Sequence, residues 1–177
     1  YHGQDGIKTI AKRIHSIATY LNKALTKLGF VQKNELFFDT LYLELPEHVS
    51  QQKLRTIALS KEVNLRYFEN GMVGLSIDET TDIKELNVLL SIFCIAAEEP
   101  IIEVQDVTEN SSINREMRRR TSFLTHEVFN KYHTETEMMR YIKRLERKDI
   151  SLAHSMISLG SCTMKLNAAQ EMTPLSN

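Results

Sequence analysis

Apolar residues near the start of the chain recur every three or four positions, which is the period of an α-helix. The repeating positions are Ile7, Ile10, Ala11, Ile14, Ile17, Ala18, Leu21, Leu25 and Leu28. They share one helical face, so the spacing predicts a long amphipathic helix from Gly6 to Leu28. Gly29 follows where a residue with positive φ commonly ends a helix. Such a helix, about 35 Å long, needs other elements to cover its apolar face.

The next segment changes from a helical to an alternating period. Residues 36–45 alternate apolar and polar side chains and are followed by Pro46, which is typical of a strand. Apolar positions in residues 49–60 return to helical spacing. We therefore expect a strand followed by a short helix.

A hairpin and a third helix follow. Asn70-Gly71 separates two apolar runs within residues 65–77 and predicts a two-residue type I′ turn. Asp82 and Glu85 have the spacing of a capping box at the start of a helix. The order helix, strand, helix, hairpin, helix predicts an α+β fold, in which helices cover a small antiparallel sheet.

The pattern changes again after residue 100. Residues 103–114 are mostly polar with little periodicity and predict a linker, and a helix is predicted over 135–149, capped by Thr134 with Glu137.

Composition narrows the functional classes. The 177 residues carry 22 Lys and Arg against 23 Asp and Glu, a net charge of -1, which argues against a nucleic-acid binder. The longest apolar run, residues 92–97, is too short to span a membrane. Two cysteines exclude a disulfide scaffold and a four-cysteine metal site. The chain begins at Tyr1 and not at Met, so we expect a processed protein or a piece of a longer one.

One segment near the end has the chemistry of an anion site. Gly160 can adopt positive φ, so neighbouring backbone N–H groups can converge on an anion. Ser161 and Thr163 add hydroxyl donors, and Lys165 adds a positive charge. Asn167 can cap a following helix, whose N-terminus also favours an anion. The same pattern fits an ordinary turn before a helix, and both interpretations remain open on the residues alone.

Other reactive residues give weaker patterns. Cys162 lies in the same segment and is a second candidate, a nucleophile activated by its surroundings. His126 and His133 are seven residues apart, which is not a zinc-ligand spacing, so no metal site is predicted.

Several segments form a specific motif set, namely Thr121–His126, Val128–Asn130, Tyr132–Tyr141 and Leu159–Asn167, with Tyr1-His2-Gly3 and Gly6 at the start. These segments closely resemble the P-protein family of the glycine cleavage system, the glycine dehydrogenases (decarboxylating). The resemblance implies a fold-type-I pyridoxal-phosphate enzyme built from two related halves. Members decarboxylate glycine and pass the aminomethyl group to the lipoyl arm of the H protein. The implied surroundings are a bacterial cytoplasm or a mitochondrial matrix.

The resemblance also assigns the parts of this chain. Residues 1–100 would be the small C-terminal subdomain of the non-catalytic first half, 101–120 the linker between halves, and 121–177 the opening arm of the catalytic half. The candidate lining of the cofactor and glycine cleft is Ser161, Cys162, Thr163, Lys165 and Asn167.

The sequence departs from the family pattern in one respect. In the family the lysine that binds the cofactor follows a histidine and precedes a glycine-rich stretch, and these 177 residues contain no such segment. We therefore expect this piece to be inactive alone and to form a homodimer through faces that missing domains would cover. No nucleic acid and no membrane are expected as partners. The alternative is a stand-alone α+β interaction or regulatory module without enzymatic activity.

Overall fold

The computed structural model describes residues 1–107, 113, 118–149 and 154. Over these ranges it has four α-helices and one four-stranded antiparallel sheet, which confirms the predicted α+β class. Contacts divide the chain into two compact units, Asp5–Phe123 and Tyr1–Gln4 with Leu124–Asn177. Within the described ranges no helix has both the length and the apolar character needed to cross a membrane.

The sheet has the strand order β1-β2-β4-β3, with every neighbouring pair antiparallel. The helices are α1 Gly3–Lys27, α2 Gln51–Ser60, α3 Ile83–Ala97 and α4 Glu135–Glu146, and the strands are β1 Val31–Gln32, β2 Thr40–Glu44, β3 Arg66–Tyr67 and β4 Val73–Ser76. The two edge strands have two residues each, which leaves little unpaired edge for another chain to pair with.

Helix α1 begins three residues earlier than predicted and ends as expected. Gly29 has φ +88°, its N–H donates to the carbonyl of Thr26, and the N–H of Phe30 donates to that of Leu25. This pair of bonds is a Schellman motif, which satisfies carbonyls that the last helical turn leaves unpaired. Ile7, however, is exposed, so the first turns of the apolar face are not covered within this unit.

The predicted strand over 36–45 is shortened to β2. Residues 36–39 are not in a strand, because the Phe38 carbonyl accepts a hydrogen bond from His15 Nδ1 of α1 at 2.8 Å and not from another strand. Leu41 and Leu43 are fully buried on one face of β2, as the alternation predicted. Strand β1 was not predicted, since two residues carry no detectable period.

The hairpin between β3 and β4 forms, but its turn type was predicted wrongly. The Gly71 N–H donates to the Phe68 carbonyl, so Glu69 and Asn70 are the central turn residues. Asn70 does not have positive φ, whereas Gly71 has φ +85°. A type I′ turn requires positive φ at both central residues, so the loop is a three-residue turn with a glycine bulge.

Helices α2 and α3 begin at polar caps. Ser50 Oγ accepts the Lys53 N–H at 3.1 Å at the start of α2, two residues later than the predicted start of that helix. At α3 the Glu85 N–H donates to the Asp82 carboxylate at 2.9 Å, and the Asp82 N–H donates to Glu85 at 2.8 Å. The predicted capping box is therefore confirmed with both of its bonds.

The core of the Asp5–Phe123 unit lies between one face of the sheet and the helices. Phe30 and Phe93 are fully buried and meet edge to face, with ring centroids 5.1 Å apart. The other large side chains without solvent exposure are Leu21, Leu25, Leu41, Leu43, Leu54, Leu86, Leu90, Ile92 and Val73.

The start of the predicted linker packs on this core. Val104 is 6% exposed, and Asn87 of α3 accepts its N–H and donates to its carbonyl, at 2.8 and 2.9 Å. Ile102 and Val107 also pack against the core. Residues 101–107 thus belong to the compact unit by contact, while the domain division itself stays a prediction.

Replacing Glu62 with glycine is expected to stabilise the chain by about 0.5–1 kcal/mol. Glu62 follows α2 with φ +59°, a conformation that costs a side-chain-bearing residue about 1–2 kcal/mol and glycine almost nothing. The greater freedom of unfolded glycine offsets part of the gain. Urea denaturation measures the difference. Glu98→Gly is the matched control: Glu98 has φ +61° but pairs with Lys53, so its gain should be smaller. A destabilised Glu62→Gly chain would contradict the assignment.

Candidate functional site

The predicted site residues lie outside the part of the chain that the structure describes. These residues are Ser161, Cys162, Thr163, Lys165 and Asn167. Their role therefore stays a prediction. What is described is the segment before them, residues 118–149, and the start of the chain, both of which contain family-like residues.

Two family-like motifs more than 120 residues apart meet in one unit. The carbonyl of Tyr1 accepts a hydrogen bond from His133 Nδ1 at 2.5 Å. Gly3 is buried with φ +66°, and a Cβ atom there would lie 3.0 Å from the Phe129 carbonyl oxygen and 3.3 Å from Asn130 Oδ1. Only glycine allows the backbones to approach this closely. We call this contact between residues 1–3 and 129–133 the motif junction.

The hydrogen bond at the motif junction fixes the tautomer of the neutral His133 ring. A carbonyl oxygen can only accept, so Nδ1 of His133 carries the proton, and Nε2 is the acceptor in the neutral ring. His126 lies close by in sequence and caps a 3₁₀ turn over Glu127–Asn130, where its Nδ1 accepts the Val128 N–H at 3.2 Å. The two histidines thus have structural partners on one ring nitrogen each.

The start of α4 is capped as predicted. Thr134 Oγ1 accepts the Glu137 N–H at 3.2 Å, and the Glu137 carboxylate accepts the N–H groups of Thr134 and His133. These bonds from Thr134 and His133 lower the pKa of Glu137. The capping box therefore ties the motif junction to α4.

The apolar stripe of α4 is formed but only partly buried, since Met138 and Tyr141 are half-buried and the apolar residues beside them are exposed. Met139, Ile142 and Leu145 are 47%, 54% and 42% exposed. Beside them the rings of Tyr132 and Tyr141 stack with centroids 4.4 Å apart. The Arg144 guanidinium lies about 5 Å from both rings and donates to the Tyr132 hydroxyl. This arrangement holds a cation against two aromatic faces.

A separate cleft of about 410 Å³ lies within the Asp5–Phe123 unit. Its lining consists of Thr9, Arg13, Ser16, Ile17, Ile83, Asp106 and Val107. Arg13 donates to the carbonyls of Thr81 at 2.7 Å and Glu79 at 3.5 Å, which positions it from the loop before α3. Ser16 is 3% exposed, and its hydroxyl has no partner. The helical period does not predict this cleft, because Ser16 lies on the side of α1 opposite the apolar positions that predict the helix.

His15 and Thr19 are two further buried polar residues of α1, and both have hydrogen-bond partners. Both are buried, His15 Nδ1 bonds the Phe38 carbonyl, and Nε2 lies 3.4 Å from the Thr19 hydroxyl. This histidine thus links α1 to the segment before β2. Among the described residues no group of three or more His, Cys, Asp or Glu side chains could hold a metal ion.

Asp78 organises the loop whose carbonyls position Arg13. Replacing Asp78 with alanine should destabilise the chain only at a pH where the Asp78 carboxyl is ionised. The side chain accepts bonds from the hydroxyls and N–H groups of Thr80 and Thr81, and these bonds lower its pKa. Its stabilisation is present above the ordinary pKa of about 3.9 and is lost as pH falls through the lower folded pKa. We expect Asp78→Ala to lose about 0.5–1 kcal/mol at pH 7, after allowance for solvent screening.

Urea titrations at pH 7 and at roughly pH 3 test this dependence. The difference between Asp78→Ala and the unsubstituted chain should shrink at the lower pH. Glu79→Ala is the control, because the Glu79 side chain makes no hydrogen bond or ion pair with any residue that the structure describes. An equal loss at both pH values would contradict a role for the ionised carboxylate.

Comparison with known proteins identifies the family. The model of the family described as "Glycine cleavage system P-protein" matches residues 1–93. The glycine dehydrogenase (decarboxylating) of Bacteroides thetaiotaomicron is 72% identical over 176 residues, 99% of this chain and 18% of that protein. The mitochondrial glycine dehydrogenase (decarboxylating) of Mus musculus is 44% identical over 177 residues, covering 99% of this chain and 17% of that protein. The chain thus spans about 18% of the length of these relatives. By the match over more than half of its residues, the chain belongs to the glycine cleavage system P-protein family.

Proposed function

We propose that this chain is a segment of an enzyme that decarboxylates glycine with pyridoxal phosphate and transfers the aminomethyl group to the lipoyl arm of the H protein. The observation that carries the proposal is 72% identity over nearly the whole chain to a glycine dehydrogenase (decarboxylating). Identity of 44% persists to a mouse mitochondrial relative. For a bacterial source the compartment would be the cytoplasm, and for a eukaryotic source the mitochondrial matrix.

Within that enzyme, residues 1–100 form the small subdomain of the non-catalytic first half, 101–120 the linker and 121–177 the opening arm of the catalytic half. The α+β unit with its own core supports the first assignment. Residues 101–107 pack on that core, so the free part of the linker would begin after them. We also propose a homodimer, supported by the exposed stripe of α4.

The described residues do not fit a pyridoxal-phosphate site. Covalent attachment of this cofactor requires a lysine. The cleft at Arg13 contains no lysine, and neither does a second, shallow cleft that Glu44, Glu47 and Asn70 line in part. The proposed contribution of this chain is to support the site: Ser161, Cys162, Thr163, Lys165 and Asn167 line the cofactor and glycine cleft in the whole enzyme.

Borohydride trapping tests the proposal. The 177-residue chain and the full-length polypeptide are each incubated with pyridoxal phosphate, reduced and mapped by mass spectrometry. We expect one stoichiometric lysine adduct in the full-length protein and none in the 177-residue chain. Specific labelling of one lysine in the short chain, with retained glycine decarboxylation, would show that the segment is active by itself.

The activity of the whole enzyme needs a separate measurement. Full-length protein with pyridoxal phosphate and lipoylated H protein should exchange labelled bicarbonate into the carboxyl group of glycine. Omitting the H protein, or supplying it without its lipoyl group, is the control and should remove most of the exchange. Absence of exchange in the complete mixture would refute the proposed function.

A further inference from the structure

Opposite charges line the cleft between α1, the start of α3 and residues 106–107 without neutralising each other. Arg13 and Asp106 both face this cleft, and no ion pair joins them. We propose that the cleft binds a small zwitterionic amino acid, whose carboxylate pairs with Arg13 and whose ammonium group pairs with Asp106. The proposal does not rest on the proposed enzymatic function.

Arg13 is prepared to receive a carboxylate. Two of its five N–H groups donate to the carbonyls of Thr81 and Glu79, so three remain for a ligand. The backbone carbonyls fix the plane of the guanidinium, which lowers the entropy lost when a carboxylate binds in two-pronged fashion. In the described part of the chain Arg13 has no carboxylate partner.

Asp106 supplies the complementary charge. Across the described ranges its carboxylate makes neither a hydrogen bond nor an ion pair. An inorganic anion at Arg13 would be repelled by Asp106, and a simple cation at Asp106 would be repelled by Arg13. A ligand that carries both charges satisfies both residues.

The remaining lining selects for size and polarity. Ser16 lines the cleft and is only 3% exposed, and its hydroxyl has no hydrogen-bond partner among the described residues, an arrangement that costs free energy until a water or ligand completes it. Ile17, Ile83 and Val107 provide an apolar floor for a short side chain. A cleft of about 410 Å³ accommodates a molecule of this size.

The test uses the full-length polypeptide and L-alanine as the probe, with isothermal titration calorimetry. We expect a dissociation constant on the order of 1 mM, as fits a few polar contacts in an open cleft. Propionate lacks the ammonium group of alanine, and ethylamine lacks its carboxylate. Each should bind at least about tenfold more weakly, because each loses one ion pair and faces one like charge.

Asp106→Asn is the decisive variant, since an exposed side chain with no partner among the described residues is not needed for folding. It should weaken L-alanine binding at least about tenfold and leave the melting temperature unchanged. Ser16→Ala should weaken it about threefold to tenfold. Binding that Asp106→Asn does not change would locate the ligand elsewhere, for example in a catalytic cleft, and overturn the proposal. No detectable binding of L-alanine, or propionate binding as tightly, would overturn it as well.

Discussion

Phe93→Ala is expected to destabilise the Asp5–Phe123 unit by about 3–5 kcal/mol. The ring has no solvent exposure and meets the equally buried Phe30 edge to face at 5.1 Å. Removing it loses the transfer free energy of the ring and leaves a cavity that α3 and the sheet cannot close, since both are fixed by their own hydrogen bonds. Because whole domains are stable by only about 5–15 kcal/mol, this loss should lower the urea midpoint severely.

Two controls separate packing from other effects. Phe93→Leu keeps most of the volume and should cost less than about 1.5 kcal/mol. Leu59→Ala removes a side chain that is 54% exposed and should change stability by less than about 0.5 kcal/mol. A double-mutant cycle with Phe30→Ala should give a coupling of about 0.5–1.5 kcal/mol for the ring pair. A Phe93→Ala loss below about 1 kcal/mol would refute the core described here.

The elements that sequence predicted well are those with local causes. The capping boxes at Asp82 and Thr134 and the helix end at Gly29 depend on residues within one turn of each other, and all three form as expected. Helical periodicity is likewise a local property. These signals survive because nothing distant in the chain competes with them.

The errors came from contacts between elements, which the period of a single element does not contain. His15 takes the Phe38 carbonyl and shortens β2, a bond across 23 residues that no local pattern contains. Asn70-Gly71 fits more than one hairpin loop, and the pairing of Tyr67 with Val73 decides which one forms. Strand β1 exists only through its pairing with β2. Local sequence patterns indicate which residues favour a strand or a turn, but they do not indicate which residue each one pairs with.

The candidate sites also differ in whether the sequence alone reveals them or only the fold does. The signature at 159–167 is a run of consecutive residues, so its resemblance to the family is visible in the sequence alone. The cleft at Arg13 required the fold, because residues 106–107 and α1 are far apart in the sequence and line one cleft only in the folded unit. The motif junction was equally hidden: Tyr1-His2-Gly3 and His133 were both noted as family-like, but their contact spans 132 residues.

The motif junction leads to the second large effect: Gly3→Ala should destabilise it locally by about 2–3 kcal/mol. At φ +66° an alanine costs about 1–2 kcal/mol in backbone strain. Its Cβ would also lie 3.0 Å from the Phe129 carbonyl oxygen, a backbone atom that cannot rotate away. Hydrogen exchange of the amides in residues 124–133 of the full-length protein measures the loss as faster exchange.

Gly71→Ala provides the comparison that isolates the close contact. Gly71 has φ +85°, so alanine pays a similar strain, but no atom lies within 4 Å of the added Cβ. We expect a cost of only about 1 kcal/mol at Gly71, and no change in exchange over 124–133. His133→Ala, which removes the bond to the Tyr1 carbonyl, should accelerate exchange in the same amides as Gly3→Ala. If Gly3→Ala and Gly71→Ala cost the same, strain alone explains both and the Phe129 contact contributes nothing. If Gly3→Ala costs more and His133→Ala reproduces its exchange pattern, the two family-like motifs hold each other in place.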